Sequence, residues 1–155
     1  MDARVSNLQF LTRRLLIWLL AVVVTYVLAS LTATQAVIAE LAGMGVVVPP
    51  ADRAVMSLQD ILGMANMFLP MVAFALLVAF MTAALLCRWL SRWRLPLYLL
   101  AGAVAVVCIH LGLHFAFGIT PVAIARSGFG LLLQALAGAA GGFTYLFLIR
   151  RQAIG

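Results

Sequence analysis

The chain reads as an all-α integral membrane protein: a bundle of four transmembrane helices with a short outer amphipathic helix between the first two. Three observations predict this. Two thirds of the 155 residues are apolar and only 9% are charged, against about half and about a quarter in soluble domains. The mean hydropathy is +1.20, more than a water-soluble globule of this size can hide. Four apolar runs, finally, each reach the roughly 20 residues that a helix needs to cross a bilayer.

The first run covers Leu15 to about Ala39 and the second about Met67 to Cys87. The third covers Leu95 to Phe117 and the fourth Phe129 to Ile149. Residues 1–155 are read as one four-span domain. The motif "TRRLLIWLL" (Thr12–Leu20) reads as an uncleaved signal anchor rather than a cleaved leader. In the long connection before span two, Pro49 and Pro50 stop the preceding segment and Asp52 can cap a new helix. Over about residues 52–65, Val55, Leu58, Leu62 and Ala65 fall on one face and Arg53, Ser57 and Asp60 on the other. That pattern predicts an interfacial helix lying on the outer leaflet or over the bundle end. Pro70 and Pro96 sit near the starts of spans two and three, where proline is tolerated.

All ten basic residues are arginine. Arg4, Arg13, Arg14, Arg88, Arg92, Arg94, Arg150 and Arg151 fall on one side of the four-span reading, and only Arg53 and Arg126 on the other. Positive residues favour the cytoplasmic side, so both termini are expected there, in a bacterial-type inner membrane. Trp18, Trp89 and Trp93 lie beside the arginines, as an aromatic belt would. The net charge of +6 forms no continuous patch, so membrane lipids rather than nucleic acid are the expected contact.

His110 and His114 stand one turn apart in span three. At 1.5 Å per residue they lie about 23 Å and about 29 Å from Leu95, in the outer third of a core about 30 Å thick. Gln134 in span four and Thr32 and Gln35 near the end of span one fall at similar depth, with Asp60, Asn66 and Arg126 flanking them. The candidate polar cluster is therefore His110, His114, Gln134, Asp60, Arg126 and Gln35. Three roles suit it. Neutral histidines could hydrogen-bond to Gln134, Thr32 or carbonyls and hold helices in register. The cluster could line a path for an ion, proton or small solute. A metal or haem fits least, because no third histidine and no acid lies within a span.

Two stripes of small residues are candidate packing faces. Span four carries Ala135, Gly138, Ala139 and Gly142, and span three carries Ala101, Ala105, Cys108, Gly112 and Ala116. Such stripes let helix backbones approach closely, within one chain or between chains. Cys87 and Cys108 read as small buried hydrophobes. The chain has no Gly-rich phosphate loop, HExxH or GxSxG motif. No catalytic, cofactor or metal residues are assigned, and an enzyme is not expected. The expected function is a non-enzymatic structural or accessory subunit that assembles with itself or with partner membrane proteins. The alternative is a small transporter or channel for an ion or solute, using the outer polar cluster.

The arginine asymmetry makes a topological prediction. A reporter fused after Gly155 should be active only as a cytoplasmic fusion. Activity restricted to the outer side would reverse the orientation.

Overall fold

The computed structural model describes residues 2–117 and 128–152. Within them are four long α-helices and no strand: α1 (Asp2–Gly43), α2 (Pro50–Leu86), α3 (Arg94–Phe117) and α4 (Gly128–Gln152). A single 3₁₀ turn, Ser91–Trp93, precedes α3. All four helices are long and apolar enough to cross a membrane. The predicted outer connection at residues 118–127, with Arg126 in it, lies outside the described residues.

The helices pack in a ring in chain order. α2 lies between α1 and α3, α4 lies between α3 and α1, and the α3–α4 contact is the most extensive. Each buried stripe follows helical spacing. On α2 it is Phe68, Val72, Leu76, Phe80 and Ala83, and on α4 it includes Gln134, Ala137, Gly138, Gly141, Gly142 and Leu146. On α1 it runs through Ala21, Val22, Thr25, Tyr26, Ala29, Ser30, Ala33 and Thr34. Apolar residues of these stripes meet in one core cluster together with Tyr98, Ala105, Ile109 and Leu113 of α3.

α1 stops by backbone chemistry. Gly45 adopts φ +82°, a conformation that costs a residue with a Cβ. Val46 N–H then donates to Leu41 O and Gly45 N–H to Ala42 O, each at 3.0 Å. This paired capping is a Schellman motif. Val46 to Pro49 follow, and Pro50 opens α2 in the first helical position, where its missing N–H costs nothing.

α2 corrects the reading of the outer connection. No separate amphipathic helix ends before span two; one 37-residue helix runs from Pro50 to Leu86. Pro49, not Asp52, is the N-cap, and Asp52 is an acidic residue of the first turn. The faces are also partly inverted. Val55, Leu58 and Leu62 are 52%, 58% and 65% exposed, whereas Ser57 is 8% exposed and Asp60 is half-buried. Asp60 turns towards Thr34 of α1, while Arg53 is exposed and Ala65 half-buried, as the pattern predicts. That polarity suits a helix whose surroundings are less polar than its neighbours, where polar groups gain most by finding protein partners. Pro70 lies inside α2, so the Asn66 carbonyl receives no backbone hydrogen bond from that position.

The span-four stripe packs within the chain. A Cβ at Gly138 would fall on the Gly102 carbonyl, one at Gly102 on the Gly138 carbonyl, and one at Gly142 on the Tyr98 carbonyl. α3 and α4 are thus in backbone contact over at least a full turn. Ala135 and Ala139 flank this contact, half-buried. On the neighbouring face, a Cβ at Gly141 would strike Thr25 Oγ1 of α1. α4 therefore offers glycine to two helices at once. Gly102 meets these glycines from a different face of α3 than the predicted stripe. That stripe divides: Ala105 is buried and Ala101 half-buried, but Cys108, Gly112 and Ala116 are exposed. Among the described residues nothing lies within 4 Å of a Cβ placed at Gly112, so Gly112 packs against none of them. Cys87 is buried as expected and Cys108 is not.

This contact separates glycines by role. Gly138→Ile or Gly142→Ile should drive α4 off α3 and lower monomer stability by about 3 kcal/mol, the upper part of the range for overpacking. Gly112→Ala should be neutral or stabilising by up to about 1 kcal/mol through helix propensity. Thermal or denaturant unfolding in detergent measures both. Equal melting of Gly138→Ile and wild type would refute the backbone contact.

Candidate functional site

At one end of the bundle the cores of α1, α3 and α4 carry polar side chains that meet. Gln134 of α4 is 1% exposed and His110 of α3 is 2% exposed. The register comes from the glycine contact: Gly138 is one turn along α4 from Gln134, and Val106, whose side chain packs on the Gly138 position, is one turn along α3 from His110. Backbone approach one turn away therefore brings the imidazole and the amide together.

Gln134 is the hub. Its Oε1 accepts from His110 Nε2 at 3.4 Å. Its amide nitrogen donates to Ala29 O at 3.0 Å and to Thr32 Oγ1 at 3.2 Å. One amide thus joins three helices and uses both of its N–H groups. Thr32 keeps its own hydrogen on the helix, with Leu28 O and Ala29 O both at 2.9 Å. In a neutral His110 ring, donation from Nε2 makes Nδ1 the lone-pair nitrogen, and Nδ1 is buried without a hydrogen-bond partner among the described residues. Ser30 Oγ and Thr25 Oγ1 are buried in the same way.

α2 closes the fourth side. The Phe68 ring centroid lies 5.9 Å from that of His110 and 6.2 Å from that of Tyr26. Tyr26 Oη donates to the Ile61 carbonyl. Further out, Thr34 Oγ1 donates to Asp60 Oδ2 at 2.7 Å, with Ser30 O a second acceptor at 3.1 Å. Ser57 Oγ donates to Arg53 O at 2.8 Å. Two polar contacts, from Tyr26 and from Thr34, therefore fasten α2 to α1 beside the His110–Gln134 pair. No protein-family model, curated protein or solved structure matches this chain.

The predicted cluster is only partly assembled. His110 and Gln134 meet, and Asp60 is engaged nearby through Thr34. Gln35 is exposed, and so is His114. The two histidines differ because a step of four residues turns 40° past a full helical turn. The buried stripe of α3 continues from Ile109 and His110 to Leu113, leaving His114 on the outside edge with its ring 6.2 Å from Phe115. Arg126 lies outside the described residues. Among the described residues no three His, Cys, Asp or Glu side chains converge as metal ligands.

Sequence reasoning missed Thr34, Tyr26 and Ser30 in this site. A stripe of Tyr26, Ser30 and Thr34 at intervals of four was the available signal. It also missed an aromatic group at the opposite, arginine-rich end. There Phe80, Tyr98 and Tyr145 of three helices gather, with centroids 4.6 Å apart for Phe80–Tyr145, 5.5 Å for Tyr98–Tyr145 and 5.7 Å for Phe80–Tyr98.

The hub role of Gln134 is measurable. Gln134→Leu should destabilise the bundle by about 1–2 kcal/mol, because it leaves both His110 nitrogens buried without partners. A double-mutant cycle of Gln134→Leu with Thr32→Val should return a coupling of about 0.6 kcal/mol, the mean for such bonds in membrane helices. Gln35→Leu should be neutral. A Gln134→Leu protein as stable as wild type would show that the amide bridges nothing.

Proposed function

We propose that this chain is a small non-enzymatic protein of a bacterial inner membrane, crossing it four times with both termini cytoplasmic. It acts as a structural or accessory subunit that assembles with itself or with a larger membrane complex. Four apolar helices compatible with a small multi-pass membrane protein are the base of this reading. The observation that carries it is the use made of the interior. The glycines of α4 are spent on α3 and α1, and Gln134 ties α1, α3 and α4 together. Both are devices for holding a bundle in one arrangement. The outward surface, by contrast, is rich in large apolar side chains, including Phe74, Met81 and Leu85 of α2. Association through such faces suits a bundle that turns so much apolar surface outward.

A transporter or channel is the second reading. It is favoured by the unpaired His110 Nδ1, Ser30 Oγ and Thr25 Oγ1 in the interior, because ionisable and polar groups within spanning helices often mark pathways.

Purification in native-like lipid, with mass measurement of the intact particle, separates the two. A defined oligomer or a stoichiometric partner protein is the expected result. A solitary chain that carries ion flux in proteoliposomes, with the flux abolished by His110→Gln, would overturn the subunit reading in favour of transport.

A further inference from the structure

Between α2 and α3 the ring of helices leaves an apolar groove of about 560 Å³ that opens outward. Its walls include Phe74, Val78 and Thr82 of α2 and Leu100, Val104 and Cys108 of α3. All six are exposed along this face. The floor is made of small residues that also pack in the core: Ala101 and Ala105, with Ala79 and Ala83 opposite. Small side chains on both helices keep the groove open.

The position and length of the groove point to its occupant. It runs from Leu86 to Met71 on α2 and from Leu97 to Ile109 on α3. At 1.5 Å per residue these lengths are about 22 Å and about 18 Å. Half of a hydrocarbon core about 30 Å thick is about 15 Å. The groove therefore spans one leaflet, measured from the arginine-rich end, and reaches a little past the midplane. That end carries charge. The connection between the helices holds Arg88 and Arg92, and Arg94 opens α3; all three are exposed, and Arg88 and Arg94 stand within three residues of the Leu86 and Leu97 that end the groove. No acidic residue lies between Asp60 and the end of the chain, so nothing in this connection neutralises them locally. Trp89 and Trp93, both exposed, flank the arginines, as interfacial aromatic residues do.

We infer that the α2–α3 groove binds one anionic phospholipid of the leaflet on the arginine side, its acyl chain along Val78, Leu100 and Val104 and its phosphate on Arg88, Arg92 and Arg94. The inference rests on the chain spanning a membrane and not on which function the bundle serves. Cationic sites between helices at the membrane surface are suited to anionic headgroups. A bare apolar face would accept any lipid; the arginines make the site selective. Attraction near the surface corresponds to about five-fold in affinity for each arginine engaged.

The test uses the full chain reconstituted in vesicles of equimolar dioleoyl phosphatidylglycerol and dioleoyl phosphatidylcholine, then extracted gently for native mass spectrometry. One retained phosphatidylglycerol should dominate over phosphatidylcholine. The variant R88Q/R92Q/R94Q should lose that preference by about ten-fold or more. Val104→Trp, which fills the groove from an exposed position, should lower retention of both lipids with helix content unchanged. An unchanged lipid preference in the arginine variant, or equal retention of the two lipids by the wild type, would overturn the inference. So would a dimer mass lost on Val104→Trp, since a second copy would then cover the groove. Failure of the chain to float with vesicles would instead refute the membrane reading on which the inference rests.

Discussion

The backbone contact between α3 and α4 is the constraint on which the rest of the bundle depends. Gly102, Gly138 and Gly142 bring two helix backbones to a separation that no residue with a Cβ permits. In an apolar surround, helices gain little by burying apolar side chains, so close packing must supply the attraction. The contact also sets rotation and register for both helices. It fixes where His110 and Gln134 point, and it leaves Gly141 on the adjacent face to receive Thr25 of α1. A helix with glycine on one face alone could bind one neighbour closely; α4 binds two.

The polar contacts have a different role. Dispersion between smooth helix faces tolerates sliding, whereas a hydrogen bond with one partner at one distance does not. Gln134 reaches Ala29 and Thr32 on α1 and His110 on α3, and Thr34 of α1 holds Asp60 of α2. Each contact lies at the same end of the bundle. At the other end the Phe80–Tyr98–Tyr145 group performs the joining with rings instead of polar atoms. The bundle is thus specified by polar atoms at one end, aromatic rings at the other and glycine between them.

How much of this is legible in the sequence depends on the kind of signal. Helix existence is plain, because a run of about 20 apolar residues matches the thickness of a bilayer and exceeds the length of an ordinary buried strand. The value of Gly138 and Gly142 is legible from their spacing, but their partner is not: Gly102 lies off the stripe that periodicity picks out on α3. The pairing of His110 with Gln134 follows from shared depth. The exposure of His114 does not, because a helical wheel treats residues four apart as one face, although each such step adds 40° of rotation. The inversion of residues 50–66 is hidden for a physical reason. An amphipathic pattern gives the two faces and not which of them looks inward. Rules drawn from helices in water turn Ser57 and Asp60 outward, and here Ser57 is buried and Asp60 binds Thr34 of α1, while Leu58 and Leu62 are exposed.

The bond from Gln134 to Ala29 joins residues 105 positions apart, and this separation orders the assembly of the fold. α3 and α4 follow one another in the chain, so their contact closes a short loop. The α1–α4 contact must close nearly the whole chain. Its entropic cost is larger, though only logarithmically, and contacts of long sequence separation form slowly. α1 therefore has its partners on α2, through Tyr26 and Thr34, before it has those on α4. Until α4 docks, Thr32 and the Ala29 carbonyl lack the Gln134 amide, and the ring of helices stands open between α1 and α4.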